Sequence, residues 1–495
     1  MSKIIIQNGN MCELDIPLKY AQKLYNEFAI RHPNAFYLRT RQRGMQNWDG
    51  KIHYITKTGQ FKIGLLPRVY NRCIEMGIKP KVVDMRQPLP KVSKVVTNIG
   101  KYKLRPEQEK AVKSVINNKV GNLPFHIGVL DYTVNAGKTL IMSSLYLTYK
   151  KQLKTLLITN DSDWLNQARE EFKQYLPGED ITFVQGKVLN WSNFTIGMVQ
   201  SISRNMRFYQ KELSQIDMVL VDEADQGGSK QYQNVITRLF NTRIRIGLSG
   251  TIYMSKLAKD KVKNMNLECF FGKVIAEFKL KDSIKKGYST KTIVKMVPGK
   301  PWYGNWESDC ISYKEIYDDS ITENNTAWTM AYNRLRWNIN QGRYPALVVC
   351  KHIAHCENLY KFFKKKLGDA YNIAYVHVNT PSKLRQQIMR DFREGKIDIL
   401  VSTTIIARGK NFPKLRYLLN AASMDSQEKS IQFLGRLVRT DKSKKKVYLD
   451  DLHYPGPYLD RHGKHRKQYY QRQELKVILL DKLWKKHPNH SLIKS

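Results

Sequence analysis

The sequence of 495 residues is short of cysteine, of acids and of long apolar runs. Its six cysteines, Cys12, Cys73, Cys269, Cys310, Cys350 and Cys356, are scattered without a paired framework, which excludes a disulfide scaffold. Free thiols in a reducing cytoplasm are expected. No apolar run approaches the roughly 18 residues that would cross a bilayer, and no hydrophobic leader opens the chain, so membrane insertion is not expected. Acids are outnumbered: 43 Asp and Glu stand against 84 Lys and Arg, a formal charge of +41. That is far more than solubility requires and would repel itself unless met by a polyanion, so nucleic acid is the expected partner.

At roughly 150 residues per domain the chain should hold about three. From about residue 100 apolar strand-like runs alternate with helical segments, the pattern of a parallel sheet covered by helices. The first series is "TLLIT" (155–159), "TIGMV" (195–199), "MVLVD" (218–222) and "IRIGLSG" (244–250). A second runs through "ALVVC" (346–350), "IAYVH" (373–377), "DILVST" (398–403), "YLLNAA" (417–422) and "KVYLD" (446–450). The expected fold class is therefore α/β, with two tandem parallel-sheet domains behind a small, separate α+β module. The expected boundaries are 1–95 for the module, 96–283 and 336–452 for the two sheets, 284–335 for a linker with a small excursion, and 453–495 for a basic helical tail, whose amphipathic part is read over 461–487.

Chemistry is concentrated at "TVNAGKT" (133–139). A phosphate loop needs backbone N–H groups aimed at the anion, a lysine, and a hydroxyl for magnesium at a helix N-terminus. Asn135, Ala136, Gly137, Lys138 and Thr139 can supply them, between a strand "IGVLDY" and an amphipathic helix "TLIMSSLYLTYK". The pattern G-x-x-x-x-G-K-[ST] asks for glycine at 132, where the chain has Tyr132. Downstream, "VLVDEADQGG" (219–228) is an apolar strand ending in adjacent acids, in which Asp222 can hold magnesium and Glu223 can take a proton from attacking water. Both are expected to open on the carboxyl edge of one sheet, on neighbouring strands. The cluster "CKHIAHC" (350–356) has zinc-ligand types but lies between a buried strand and a helix start, so no metal is expected there.

In order, "LRPEQ" (104–108), "NAGKT", "DEAD" (222–225), "SGT" (249–251), "STTIIARGKNFP" (402–413) and "QFLGRLVR" (432–439) resemble the motifs of superfamily 2 helicases. The resemblance implies two RecA-like domains, ATP and Mg2+ as cofactors in the cleft between them, and nucleic acid lying across both. It implies adenine-side contacts for Arg105 and Gln108, phosphate and magnesium contacts for Lys138 and Thr139, and a link between hydrolysis and movement for Ser249, Gly250 and Thr251. It gives Gly409 a nucleotide-facing role, Thr403 a nucleic-acid backbone contact, and Arg436 and Arg439 the arginine-finger roles with Gln432 beside them. Arg436 and Arg439 are expected on one side of a helix by their i, i+3 spacing. Asn411 stands where many relatives have aspartate, and Thr404 where an acid is often found.

The segment "NWDGKIHYITKTGQFKIGLLPRVYNRC" (47–73) resembles the N-terminal domain of the phage UvsW-type helicases. That implies a monomeric DNA-dependent ATPase remodelling branched DNA, acting in the cytoplasm of a host bacterium. An RNA helicase and the motor subunit of a nuclease or restriction complex are the alternatives. Within the module, Arg39, Arg41 and Arg43 alternate as on a strand, so one face is expected to carry three cations against duplex phosphates. Trp48 reads as a core anchor, and Trp328, Tyr332 and Leu335 as helical packing.

Overall fold

The computed structural model describes all residues except Met1, 42–44, 46, 93, 150–151, 161, 189–190, 253–259, 300–311, 408–411, 442 and 481–495. The chain divides into two compact units, Met1–Phe278 and Lys279–Ser495.

The first unit is built on a seven-stranded, wholly parallel sheet in the order Ile181–Val184, Phe194–Met198, Thr155–Thr159, Met218–Asp222, Ile244–Ser249, Ile127–Tyr132, Val274–Phe278. Its four central strands are buried at every residue. That explains why they read as continuous apolar runs: helices cover both faces, so neither face needs polar residues. The strand of Asp222 is not the immediate neighbour of the phosphate-loop strand, as expected from spacing; Ile244–Ser249 lies between them. The parallel register nevertheless sets Asp222 opposite Leu248 and Asp131 opposite Ser249, so all three strands end at one level.

The N-terminal residues form a mixed four-stranded sheet, ordered Gln60–Lys62, Met11–Asp15, Lys3–Ile6, Lys81–Asp84. Burial alternates along Lys3–Ile6, one face inward and one outward. This sheet is not the separate module expected from sequence. Its core residues, Ile4 and Ile6 among them, run continuously into those of the parallel sheet. Gly9 comes so close that a Cβ there would sit 2.6–2.8 Å from the carbonyl oxygens of Leu239, Phe240 and Thr242. Arg245, fully buried on the strand Ile244–Ser249, donates to Gly9 O (2.7 Å), Asn10 Oδ1 (2.8 Å) and Phe270 O (3.2 Å). Burial, aided by nearby Arg86, lowers its guanidinium to about 9.

The second unit repeats the theme with seven parallel strands: Ile373–Val376, Ile399–Thr403, Ala346–Cys350, Tyr417–Asn420, Lys446–His453, Lys291–Pro298, Val477–Leu479. Two sequence expectations change here. The segment 284–335 is not a linker: Lys291–Pro298 is an integral strand, and the helix Asn325–Ile339 buries Leu335 and Ile339. The strand was masked by lysines such as Lys295, whose ammonium lies 4.6 Å from the Trp337 ring centre. The basic tail is not one helix over 461–487: it is the helix Leu459–Arg472 followed by the strand Val477–Leu479, which pairs with Lys291–Pro298. Residues from 481 lie outside the described part.

Candidate nucleotide and nucleic-acid sites

At the carboxyl edge of the first sheet three loops emerge together. Ile127–Tyr132 leads through residues 133–137 into the helix Lys138–Tyr149, whose first residues are Lys138 and Thr139. Asn135 and Gly137 have φ of 65° and 73° on either side of Ala136, whose N–H donates to Thr133 O (3.3 Å); such left-handed positions alternating in a loop are the backbone of an anion cradle. A Cβ at Gly137 would collide with the Gln108 amide and come within 3.2 Å of the Arg105 guanidinium, which makes glycine obligatory there.

Arg105 and Gln108 brace this loop from behind. Arg105 donates to Asn135 O (3.0 Å), and Gln108 Nε2 donates to Ala136 O (2.9 Å) while its Oε1 accepts from the Arg105 N–H (2.9 Å). Both residues therefore lie beside the cradle, at the start of the helix Pro106–Ile116. Tyr132 completes the brace: fully buried, it donates from its hydroxyl to Glu107 O (2.8 Å). The side chain that breaks the glycine pattern thus ties the loop's strand to the helix that carries Gln108.

Asp222 ends its strand 5% exposed, and Glu223 follows with φ 53°, ψ 50°. A left-handed glutamate is strained, and such strain concentrates where a side chain must be held in one place. Ser249 Oγ donates to Asp225 Oδ1 (2.7 Å) and lies 3.1 Å from Thr251 Oγ1, while the Thr251 N–H donates to Ser249 Oγ (3.1 Å). Gly250 packs on Thr133, its Cβ position 3.1 Å from the Thr133 Cα. The "SGT" loop therefore touches both the acid segment and the first residue of the phosphate loop.

Tyr232 was missed in the sequence. Its ring is 1% exposed, and its hydroxyl has no hydrogen-bond partner among the described residues. Burial, then the carboxylates of Glu223, Asp222 and Asp225, hold the phenol protonated well above its ordinary range. A lone tyrosine in "KQYQNV" gives no signal of this; only the fold brings it to the acids.

In the second unit Thr403 ends its strand 7% exposed, and Lys429 Nζ donates to Thr404 Oγ1 (3.3 Å). Gln432 and Arg436 lie on the helix Gln427–Leu437, half-buried. Arg439 is not on that helix, as its spacing had suggested; the helix ends before it, with Val438 at the cap. Another residue invisible in sequence fixes this end. Lys444, 6% exposed, donates to Leu437 O (3.1 Å) and Leu415 O (3.0 Å), and Thr290 binds Val438 O and Arg439 O. Desolvation lowers the Lys444 ammonium to about 8. Gly409 and Asn411 lie outside the described residues.

Three further expectations meet the structure. Arg39 and Arg41 sit on a helix, Ala35–Arg41, not on a strand, so a two-residue spacing turns them to different faces; Arg43 lies outside the described residues. Trp48 is half-buried and donates from its indole to Lys51 O (3.0 Å), and Trp328 likewise to Ile321 O (3.1 Å). Around "CKHIAHC", Cys350 and Cys356 are buried, and His355 Nδ1 meets the Tyr317 hydroxyl at 3.1 Å.

Two family models match this chain: the type III restriction enzyme res subunit over residues 101–254, and the helicase conserved C-terminal domain over residues 331–441. One falls on each parallel sheet, and the chain belongs to the superfamily 2 helicases. It is similar to the ATP-dependent DNA helicase uvsW of Enterobacteria phage T4, with 21% identity over 436 residues and 82% of either chain covered. It is also similar to the "Putative helicase 22" of Sulfolobus islandicus filamentous virus, with 23% identity over 385 residues. That match covers 71% of this chain and spans 64% of the viral protein's length. Among solved structures, the ATP-dependent type ISP restriction-modification enzyme LlaBIII bound to DNA shares the fold. Its TM-score is 0.56 at 13% identity, over 85% of this chain and 35% of that one. Among the described residues no helix is long and apolar enough to cross a membrane.

Proposed function

We propose that the chain is an ATP-dependent DNA helicase that unwinds and remodels branched DNA, such as Holliday junctions and stalled forks. The observation that carries the reading is the meeting of the 133–139 loop, the Asp222–Glu223 pair and the Ser249–Thr251 loop at one sheet edge. The donor set fits a magnesium-bound triphosphate: a helix N-terminus with Lys138 for the phosphates, and the hard oxygens of Thr139 and Asp222 for the ion. Magnesium bound there would screen the phosphate charges. Asn135 and Gly137 would offer backbone N–H groups to the anion, joined by Ala136 once its N–H leaves Thr133 O, with Arg105 and Gln108 on the adenine side. Glu223, fixed by its backbone, orients water and accepts its proton. Ser249, through Asp225, passes any shift of the acid segment to Thr251. From the second unit, Arg436 and Arg439, with Gln432, would stabilise charge on the transferring phosphoryl, worth roughly 10³ to 10⁵ in rate for such an arginine. Thr403 would hold a strand backbone.

The DNA part of the reading rests on the charge of +41 and on the similarity to a phage DNA helicase. Comparing ATPase stimulation by branched DNA, linear duplex and RNA tests it: branched DNA should stimulate most. Lys138→Ala should abolish turnover while leaving salt-sensitive DNA binding in place. Full turnover by that variant, or stimulation by RNA alone, overturns the reading. A second reading, the motor subunit of a restriction complex, is favoured by the res-subunit match over residues 101–254. It predicts ATPase stimulation by linear duplex with no preference for junctions.

A further inference from the structure

The helix Ala35–Arg41 presents its largest apolar side chains outward. Phe36 is 79% exposed and Tyr37 54% exposed, whereas Ala35 is the residue it buries. An ordinary surface helix turns such rings inwards, so two adjacent exposed aromatics mark a surface kept for a partner. Along this stretch of the sequence, between Glu27 and Asp49, the charge is of one sign. From Phe28 to Trp48 the sequence holds four arginines, Arg31, Arg39, Arg41 and Arg43, and no acid. The Arg41 guanidinium lies 4.9 Å from the Tyr37 ring centre, one helical turn along, and Arg39 stands three residues after Phe36.

We propose that Phe36 and Tyr37 form a stacking platform for unpaired bases of a nucleic-acid strand, with Arg39 and Arg41 taking its phosphates. The inference rests on the reading that the chain binds nucleic acid, and adds which strand state this surface selects. Flat aromatic faces interleaved with cations are what a single strand requires, since each exposed base has a π-face and each linkage a negative charge. A duplex hides its base faces and offers these rings nothing. An apolar protein surface would gain from the rings but would bury the arginines without counter-charge. The helix that carries the rings is therefore suited to the open strand at a junction, and its arginines, turned to different faces, follow a strand that curves around it.

The test uses the full chain without nucleotide, against a fluorescein-labelled oligo-dT strand and a blunt duplex of equal length. The double variant Phe36→Ala/Tyr37→Ala should bind the single strand about ten-fold more weakly, the loss expected for about one stacked base. Duplex binding and the salt dependence on both probes should stay unchanged. The double variant Phe36→Trp/Tyr37→Trp should restore the single-strand affinity, which separates stacking from local misfolding. Photocrosslinking with a 5-iodouracil strand should place adducts on Phe36 or Tyr37. Equal losses on both probes, or no loss on either while the wild type binds both, overturns this inference alone. A wild type that binds neither probe overturns it together with the proposed function.

Discussion

Arg466 offers the most direct check on how the second unit is held together. Both it and Asp451 are fully buried. The guanidinium reaches Asp451 through Nε (2.9 and 3.1 Å) and Nη2 (2.8 Å), and caps Met424 O (3.0 Å) and Leu452 O (2.9 Å). Asp451 also accepts from Asn420 and from the Tyr470 hydroxyl, each at 2.8 Å. Arg466→Met keeps most of the volume but leaves a carboxylate in the core with neutral donors only. Stranding one partner of a buried pair costs about 3–5 kcal/mol. For a unit of this size each kcal/mol moves the midpoint by about 2–4 °C, so calorimetry should place the second unit's transition roughly 6–20 °C lower. Asp451→Asn added to Arg466→Met removes the stranded charge and should recover more than half of that loss. The site suffers too, because the released Met424 carbonyl lies just before the helix of Gln432 and Arg436. ATPase should fall even well below the melting temperature. A drop below about 3 °C, or a double variant no better than the single, would show that the pair is not what anchors the basic helix.

Two other outcomes follow from single side chains. Restoring the pattern glycine by Tyr132→Gly should harm the protein: it empties a buried site and frees the loop's strand from Glu107, costing about 3–5 kcal/mol by thermal or denaturant unfolding of the first unit. A variant as stable as the wild type refutes the bracing role. In the second unit, burial and then the neighbouring His352 push His355 down to about 3. Burial pushes His462 down to about 4, with Asp425 opposing and Arg466 and Arg461 assisting. Both histidines are uncharged when folded at pH values where the unfolded chain binds a proton, so stability present above about 6.5 is lost as pH falls towards 4. Unfolding midpoints measured across that window should decline, and His355→Gln with His462→Asn should flatten the decline; an unaltered slope counts against it.

Most of the motor was legible because a parallel sheet writes itself as apolar runs. "TLLIT", "MVLVD" and "ALVVC" coincide with observed strands to the residue. Elements that escaped are those whose partners lie far away in sequence. Lys291–Pro298 looked like linker because its central Lys295 lies over the Trp337 ring, and the basic face of the helix Leu459–Arg472 looked solvated although its central Arg466 finds an acid fifteen residues earlier. The loop residues of the candidate nucleotide site were visible as a motif, but their supports were not. Tyr232 and Lys444 carry no local pattern, and the Gln108 amide needed the fold to find Ala136 O. Arg39 and Arg41 were misread for a simpler reason: an i, i+2 spacing of cations fits a strand face, but so short a segment also fits a helix, and Phe36 and Tyr37, which carry the clearest surface signal, were passed over.

The strand Ile244–Ser249 joins more of this molecule than its six residues suggest. Near its start Arg245 grips Gly9 and Asn10 of the N-terminal sheet; at its end Ser249 is bonded to Asp225 beside the acid pair. A buried guanidinium held by carbonyls and an amide, with no carboxylate paired to it among the described residues, is costly unless its geometry is kept. Any movement of this strand along its axis would therefore break bonds at one end or the other. The N-terminal sheet is thereby tied to the carboxyl edge of the parallel sheet, where the acid segment lies. The helix Ala35–Arg41 belongs to the same unit, Met1–Phe278, so a strand held at Phe36 and Tyr37, as proposed above, would feel any displacement of the unit directly.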